Sequence, residues 1–461
     1  MDSKLEALVM AQQAFVERMN YNDIAQLHGV SVATVSRRLA EAKESGFVRE
    51  IRRVLPPNDL REALYRYVTF DKIGRRLREA LNQRGAGLKR VIVTAGDTNP
   101  AEESSEDEER KKGFPRITRV GIHGARLLQQ ELKVLLTTQN CVRIGVNWGY
   151  AVQMVCTQFG ECDDEALLDC PPERIEFNAL SGLFWIDCDP DIERARRSWV
   201  SSSAVNAQRL VQAFRHQEDM RVHLIRVPAI IGKEMFESER RRLDMTREVL
   251  QNFCKSDPGY RYLYGDKPIF PTTAQAEAYL SERWLRRGTD PGQFGTILEQ
   301  DFLLTGLSSL DKTAGFVHLS DLALDKQVEY FRERFHASGD VASHIFTEDS
   351  KIPRLDHPAH PEIGAENARV LSLWPEDLTQ CADLHRATPG GVIVLSCGQK
   401  KAHALLIALT GLQIANYVVI DTNLAWKLYE HMGMINEQER DFSTVELWDF
   451  SVNGSNGQEN G

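Results

Sequence analysis

The sequence predicts an α/β protein: a winged helix-turn-helix at the N-terminus, joined to an open, mostly parallel sheet. Two observations carry this. Over residues 21–53, apolar positions Ile24, Ala25, Leu27, Val30, Val35 and Leu39 recur at helical spacing with a break at His28-Gly29-Val30, and Gly29 suits the positive φ of a tight interhelical turn. From Ile117 onward, short β-branched runs alternate with helical stretches, and loops bearing Gly, Ser, Asp and Lys follow the strands. That is the rhythm of βα units in a parallel sheet.

A chain of 461 residues exceeds what one core usually supports, so two or three domains are expected. The formal net charge is −10, which disfavours a nucleic-acid partner only if the charge is uniform. It is not: residues 1–57 carry eight Lys and Arg against seven Asp and Glu. The eight cysteines are scattered without a CxxC pair, which fits buried thiols of a reducing compartment better than disulfides or a zinc site. No signal peptide opens the sequence and no window reaches the apolar length of a membrane span. These features point to a cytoplasmic chain with no membrane partner.

In the head, residues 3–19 read as a supporting amphipathic helix with Leu5, Leu8, Val9, Phe15 and Met19 inward. Ser31 is placed to cap the next helix, whose first turns carry Ala33, Thr34, Ser36, Arg37 and Arg38, with Lys43 further along. Two helices crossing steeply can push the second into a DNA major groove, where such side chains reach bases and phosphates. Phe47 to Arg53 alternates as a strand and would expose Arg49 and Arg52 as a basic wing. Pro56-Pro57 ends this unit. The domain reading is therefore 1–57 for the DNA-binding head, 58–87 for a connector or dimerisation helix (or, equally plainly, a first helix packed on the body), and 88–461 for an α/β body. Within the body, 96–113 is an acidic, solvent-exposed loop, and 254–295 breaks the βα rhythm as an insertion or subdomain.

Strands are expected at 88–95, 141–146, 176–180, 223–227, 302–310, 370–373, 392–396 and 417–421. Helices are expected at 121–137, 151–155, 201–214, 237–252, 328–336 and 402–409, with a loop opening at Gly339. Strand, glycine turn, helix at Ile144 to Val155 is a geometry able to hold an anion, though such turns also serve packing.

The ordered motifs resemble the SorC family of sugar-responsive bacterial transcriptional regulators. The residues that carry the resemblance are the head through 33–46, Ile144-Gly145-Val146-Asn147-Trp148-Gly149, Leu180-Ser181-Gly182, Thr305-Gly306-Leu307-Ser308, Gly339-Asp340 and Leu395 to Lys401. The resemblance implies a Rossmann-like body of the sugar-phosphate isomerase type. It also implies a homodimer or homotetramer on a double-stranded DNA operator, and a carbohydrate-like effector (a sugar or sugar phosphate) rather than a cofactor or metal. The effector residues it implies are Gly145, Asn147, Trp148, Gly149, Tyr150, Ser181, Gly182, Gly306, Ser308, Asp340, His344, Gly398, Lys401 and Asp421. The chain departs from the family at Tyr150-Ala151, where an Arg-Thr pair is usual, at Leu183, where a second glycine is usual, and at His344, where an arginine is usual. These departures alter three phosphate contacts. They raise a second reading, a body that only assembles subunits; the resemblance to isomerases raises a third, an enzyme using Asp340 or His344 for proton transfer. The leading reading is a regulator and not an enzyme.

Overall fold

A computed structural model describes residues 3–17, 19–45, 47–50, 53–54, 70–96, 115–160, 174–182, 202–214, 219–231, 243–310, 325–371 and 373–434. The head comprises α1 (Ser3–Ala11), α2 (Tyr21–Leu27), α3 (Val32–Glu44) and a hairpin of β1 (Val48–Glu50) with β2 (Arg53–Val54). Asn20 caps α2 by accepting from Asp23 N–H, and Ser31 caps α3 by accepting from Thr34 N–H. Gly29 turns the chain between them at φ +62°. The helical path of α1 continues through a π-wound turn, Gln12–Val16. The wing is two strands rather than one: Val48–Glu50 pairs antiparallel with Arg53–Val54.

Ala7, Leu8, Val9, Met10 and Ala11 are all fully buried. α1 packs mainly on α3 and on the π-wound turn that follows it, and the head core of α1, Ile24, Val35 and Leu39 is continuous with a cluster that includes Ile73, Leu77, Val418 and Ile420.

The body's sheet runs β3 (Arg90–Thr94), β11 (Tyr417–Asp421), β10 (Gly391–Leu395), β7 (Phe302–Ser309), β4 (Cys141–Val146), β5 (Arg174–Ala179), β6 (Met220–His223). Every neighbouring pair along that path is parallel. Beyond its parallel pairing, β7 runs on into an antiparallel extension with β8 (Ala337–Val341) and β9 (His344–Thr347). The expected loop at Gly339 is thus a hairpin. Its two-residue turn is Ala342-Ser343, both at positive φ, +51° and +66°. Primed turns match strand twist and normally recruit Asn or Gly, so nothing in an Ala-Ser pair signals one.

Two further expectations are corrected. The strand expected at 223–227 ends at His223. Arg226 N–H donates instead to Asp257, and a Cβ on Gly259 would sit 2.2 Å from the Leu224 carbonyl, so residues 254–295 capture this segment. The strand expected at 370–373 is a single bridge, Val370 to Ile230. Residues 254–295 themselves place Tyr260, Leu263, Tyr264 and Ile269 in the main core. Of the connector helix the described part is Asp71–Gln83; residues 58–69 and the acidic stretch 97–113 lie outside the described residues.

Candidate functional site

The outward face of α3 is made by Val32, Ala33, Ser36, Arg37 and Ala40, all exposed. Val35, Leu39 and Ala42 face inward. Ser31 and Thr34 are joined within the cap, their hydroxyls 3.0 Å apart. Arg38 is directed back across the head: it pairs with Glu6 at 2.7 Å and Glu41 at 2.8 Å and donates to Ser3 at 2.7 Å. Lys43 lies 5.0 Å from the Phe15 ring centre. Arg49 is in β1, and Arg52 lies outside the described residues. The sequence reading missed Tyr21 and Val32, each 41% exposed. Apolar groups stranded in solvent at the start of two helices were the available signal.

Head and body meet through polar contacts as well as apolar ones. Glu17 and His123 are both buried, with Nε2 and Oε1 3.3 Å apart. Burial drives the His123 imidazole below its usual range, so it stays neutral. Burial opposes the Glu17 charge, but His123, Arg126 and Arg119 outweigh it and hold the carboxyl below its usual range.

The strand order reverses at β7 and β4, and ligands of open parallel sheets bind beyond the strand ends at such a point. Asn147 leaves β4, its side chain donating to Thr305 Oγ1 at 3.1 Å and accepting from Trp148 N–H at 2.9 Å. The Trp148 indole N–H donates to Ser343 Oγ at 2.8 Å, tying this turn to the hairpin tip. Gly149 has φ +124° and open space where a Cβ would be, at the entry to the helix Tyr150–Gly160, which Tyr150 begins. Gly306 and Ser308 are half-exposed on β7, and Ser308 pairs in register with the buried Asp340.

Other candidates make packing or capping contacts. A Cβ on Gly145 would meet Leu303 at 2.5 Å and Leu180 at 2.8 Å, and one on Gly182 would meet the Val227 carbonyl at 1.9 Å. Both glycines permit close packing. Buried Ser181 lies 2.7 Å from Ser203 Oγ. Asp421 accepts from Leu424 N–H at 3.0 Å and from Gly398 N–H at 3.1 Å, so it caps a helix and fixes the β10 loop. Lys401 ends a short turn there and is half-exposed.

His344 is fully buried and has no contact with solvent. Its Nδ1 lies 3.0 Å from the Ala342 carbonyl, to which it donates as a neutral ring. Burial, then Arg354 and Lys267, holds the ring far below the usual imidazole range. It offers no positive charge where the resemblance implied an arginine. Among the described residues no group of three or more His, Cys, Asp or Glu is placed to hold a metal, and no helix is long and apolar enough to cross a membrane.

No protein-family model matches the chain, and no curated protein matches it. Solved structures do resemble it. The full-length sorbitol operon regulator SorC from Klebsiella pneumoniae is 16% identical, with 92% of this chain and 97% of that one covered at a TM-score of 0.47. A probable sor operon regulator from Shigella flexneri is 15% identical, covering 77% and 98% at 0.44. A transcriptional regulator from Streptococcus pneumoniae TIGR4 is 10% identical, covering 79% and 99% at 0.44.

Proposed function

We propose that this chain is a ligand-responsive DNA-binding transcriptional regulator. The observation that carries the reading is the outward face of α3. Small residues and Arg37 project from a capped helix held by a second helix and a wing, and short side chains let the helix backbone approach base edges. A single head buries too little surface for tight specific binding, so a homodimer or homotetramer on a repeated operator, in a bacterial cytoplasm, completes the proposal.

The crevice at the ends of β4, β7 and β10 takes the effector. Its described rim is mostly neutral: Asn147, Trp148, Ser308 and backbone N–H groups, with Lys401 as a nearby cation. Such a rim suits a polyhydroxylated ligand of low charge better than a sugar bisphosphate, and the neutral His344 supports the same choice. Because the head shares its core with the body, a ligand that binds two body states unequally shifts the placement of the heads. An isomerase reading is disfavoured because His344 is walled off from solvent and tied to its own hairpin. Mapping bound genomic sites in cells, with gel shifts of wild type and Arg37→Ala on the recovered sequence, tests the proposal. Undiminished binding by Arg37→Ala removes α3 from the interface.

A further inference from the structure

A cleft away from the crevice lies between residues 260–271 and 354–374. It is lined by Tyr260, Lys267, Phe270, Arg354, Leu371 and Trp374, among others. Its enclosed free volume is about 10 Å³, space for one water-sized group, so what enters is the tip of a ligand rather than a whole sugar ring. The Tyr260 hydroxyl is buried without a hydrogen-bond partner, and the residue is only 1% exposed. A hydroxyl desolvated and left unsatisfied is costly, so such a group in a cleft wall calls for a ligand atom or a water.

Charge around the cleft decides which. Lys267 pairs with Asp377 at 3.4 Å, Arg283 with the same carboxylate at 2.6 Å, and Arg354 with Glu376 at 2.6 Å. Three basic groups face two carboxylates; burial pulls the Lys267 ammonium down to about 7, so the site holds its excess of one positive charge only while Lys267 is protonated. The Lys267 ammonium and Arg354 guanidinium both lie over the Trp374 ring, 4.2 and 4.4 Å from its centre, which fixes them at the cleft. Asn367 also lines it but is committed to Ile345 and Pro353. Phe270 in the wall holds φ +48°, a conformation costly for a bulky residue and concentrated at ligand-binding segments.

We propose that this cleft is a second ligand site, for the carboxylate end of a small organic monoacid. Tyr260 donates its O–H to one oxygen, while Arg354 and Lys267 balance the single negative charge. A planar carboxylate matches the guanidinium fork and the narrow end of the cleft, whereas phosphate brings a tetrahedral group and a second charge. The segment that forms the wall also reaches the sheet: Tyr264 O–H donates to the Leu180 carbonyl at 2.5 Å, so occupancy is felt at the end of β5.

Calorimetric titration of the full chain without DNA, using sodium glycolate against sodium chloride of equal ionic strength, tests this independently of any DNA binding. Saturable one-to-one binding is expected, weakened about tenfold in Tyr260→Phe, which keeps the ring and the packing. Arg354→Lys, which keeps the charge and removes the fork, should weaken it as well. Absence of saturable binding, or equal affinity in Tyr260→Phe, overturns the proposal. Tighter binding of inorganic phosphate than of glycolate overturns the carboxylate assignment.

Discussion

Glu17 in the head and His123 in the body are 106 positions apart in sequence, yet their side chains meet at 3.3 Å where neither touches water. Removing His123 leaves a buried carboxylate without its ring donor. His123→Ala is therefore expected to cost about 1–3 kcal/mol, the range for leaving a buried acceptor without its hydrogen bond. Urea unfolding followed by both Trp fluorescence and circular dichroism measures it, with loss of a single coincident transition as the sign that head and body have uncoupled.

The same pair sets a pH dependence. His123 titrates lower when folded than its ordinary 6.5, so the unfolded state binds more protons once the pH falls below that value. Glu17 titrates lower when folded than its ordinary 4.5, so its contribution is complete above 4.5 and is lost as pH falls further. Both terms act in one direction: stability declines on acidification. Melting temperatures taken from about pH 8 to about pH 5 should fall, and His123→Gln should flatten the upper part of that decline.

Arg37 and Arg38 are neighbours in α3 with opposite roles. Arg37 is exposed, and Arg37→Ala should weaken operator binding with the melting temperature unchanged. Arg38 is engaged by Glu6, Glu41 and Ser3, and Arg38→Ala should lower the melting temperature while its effect on DNA follows only from that loss. A gel shift paired with a thermal melt separates the two. Equal effects from both substitutions would contradict the assignment.

Asp377 faces Lys267 and Arg283 in the interior and accepts from Trp374 N–H at 2.7 Å. Asp377→Ala leaves two buried cations and a buried amide without their acceptor. A loss of about 3–5 kcal/mol is expected in denaturant unfolding. A change of less than about 1 kcal/mol would mean that water reaches the cluster.

Gly145→Ala introduces a Cβ between Leu303 and Leu180. Overpacking of this kind costs about 1–3 kcal/mol, read by thermal or urea unfolding. Gly149→Ala, with open space around the new atom, should show backbone strain only.

The parallel strands were legible because their β-branched runs are buried on both faces: Cys141–Val146 and Tyr417–Asp421 fall where periodicity places them. The second and third head helices and the α3 cap were equally plain, since Gly29 and Ser31 act through local chemistry. The hairpin at Ala342-Ser343 was hidden because tertiary contacts, not turn residues, hold its left-handed backbone. The inward turn of Arg38 depends on Glu6, a helix away, which local pattern does not encode. At Gly145 and Gly182, which the resemblance implies as effector residues, the close packing was hidden because sequence alone does not mark which glycine has a neighbour against it. The partner of Glu17 could not be foreseen from any local signal.

The place of β3 at the sheet edge has a consequence for synthesis. Its pairing partner is β11, with Arg90 opposite Tyr417, so the strand nearest the head waits for nearly the last strand to leave the ribosome. A pairing so distant along the chain forms late. The head emerges early but gains its mooring only when the body is complete, and a prematurely terminated chain would carry a recognition helix without the scaffold that aims it.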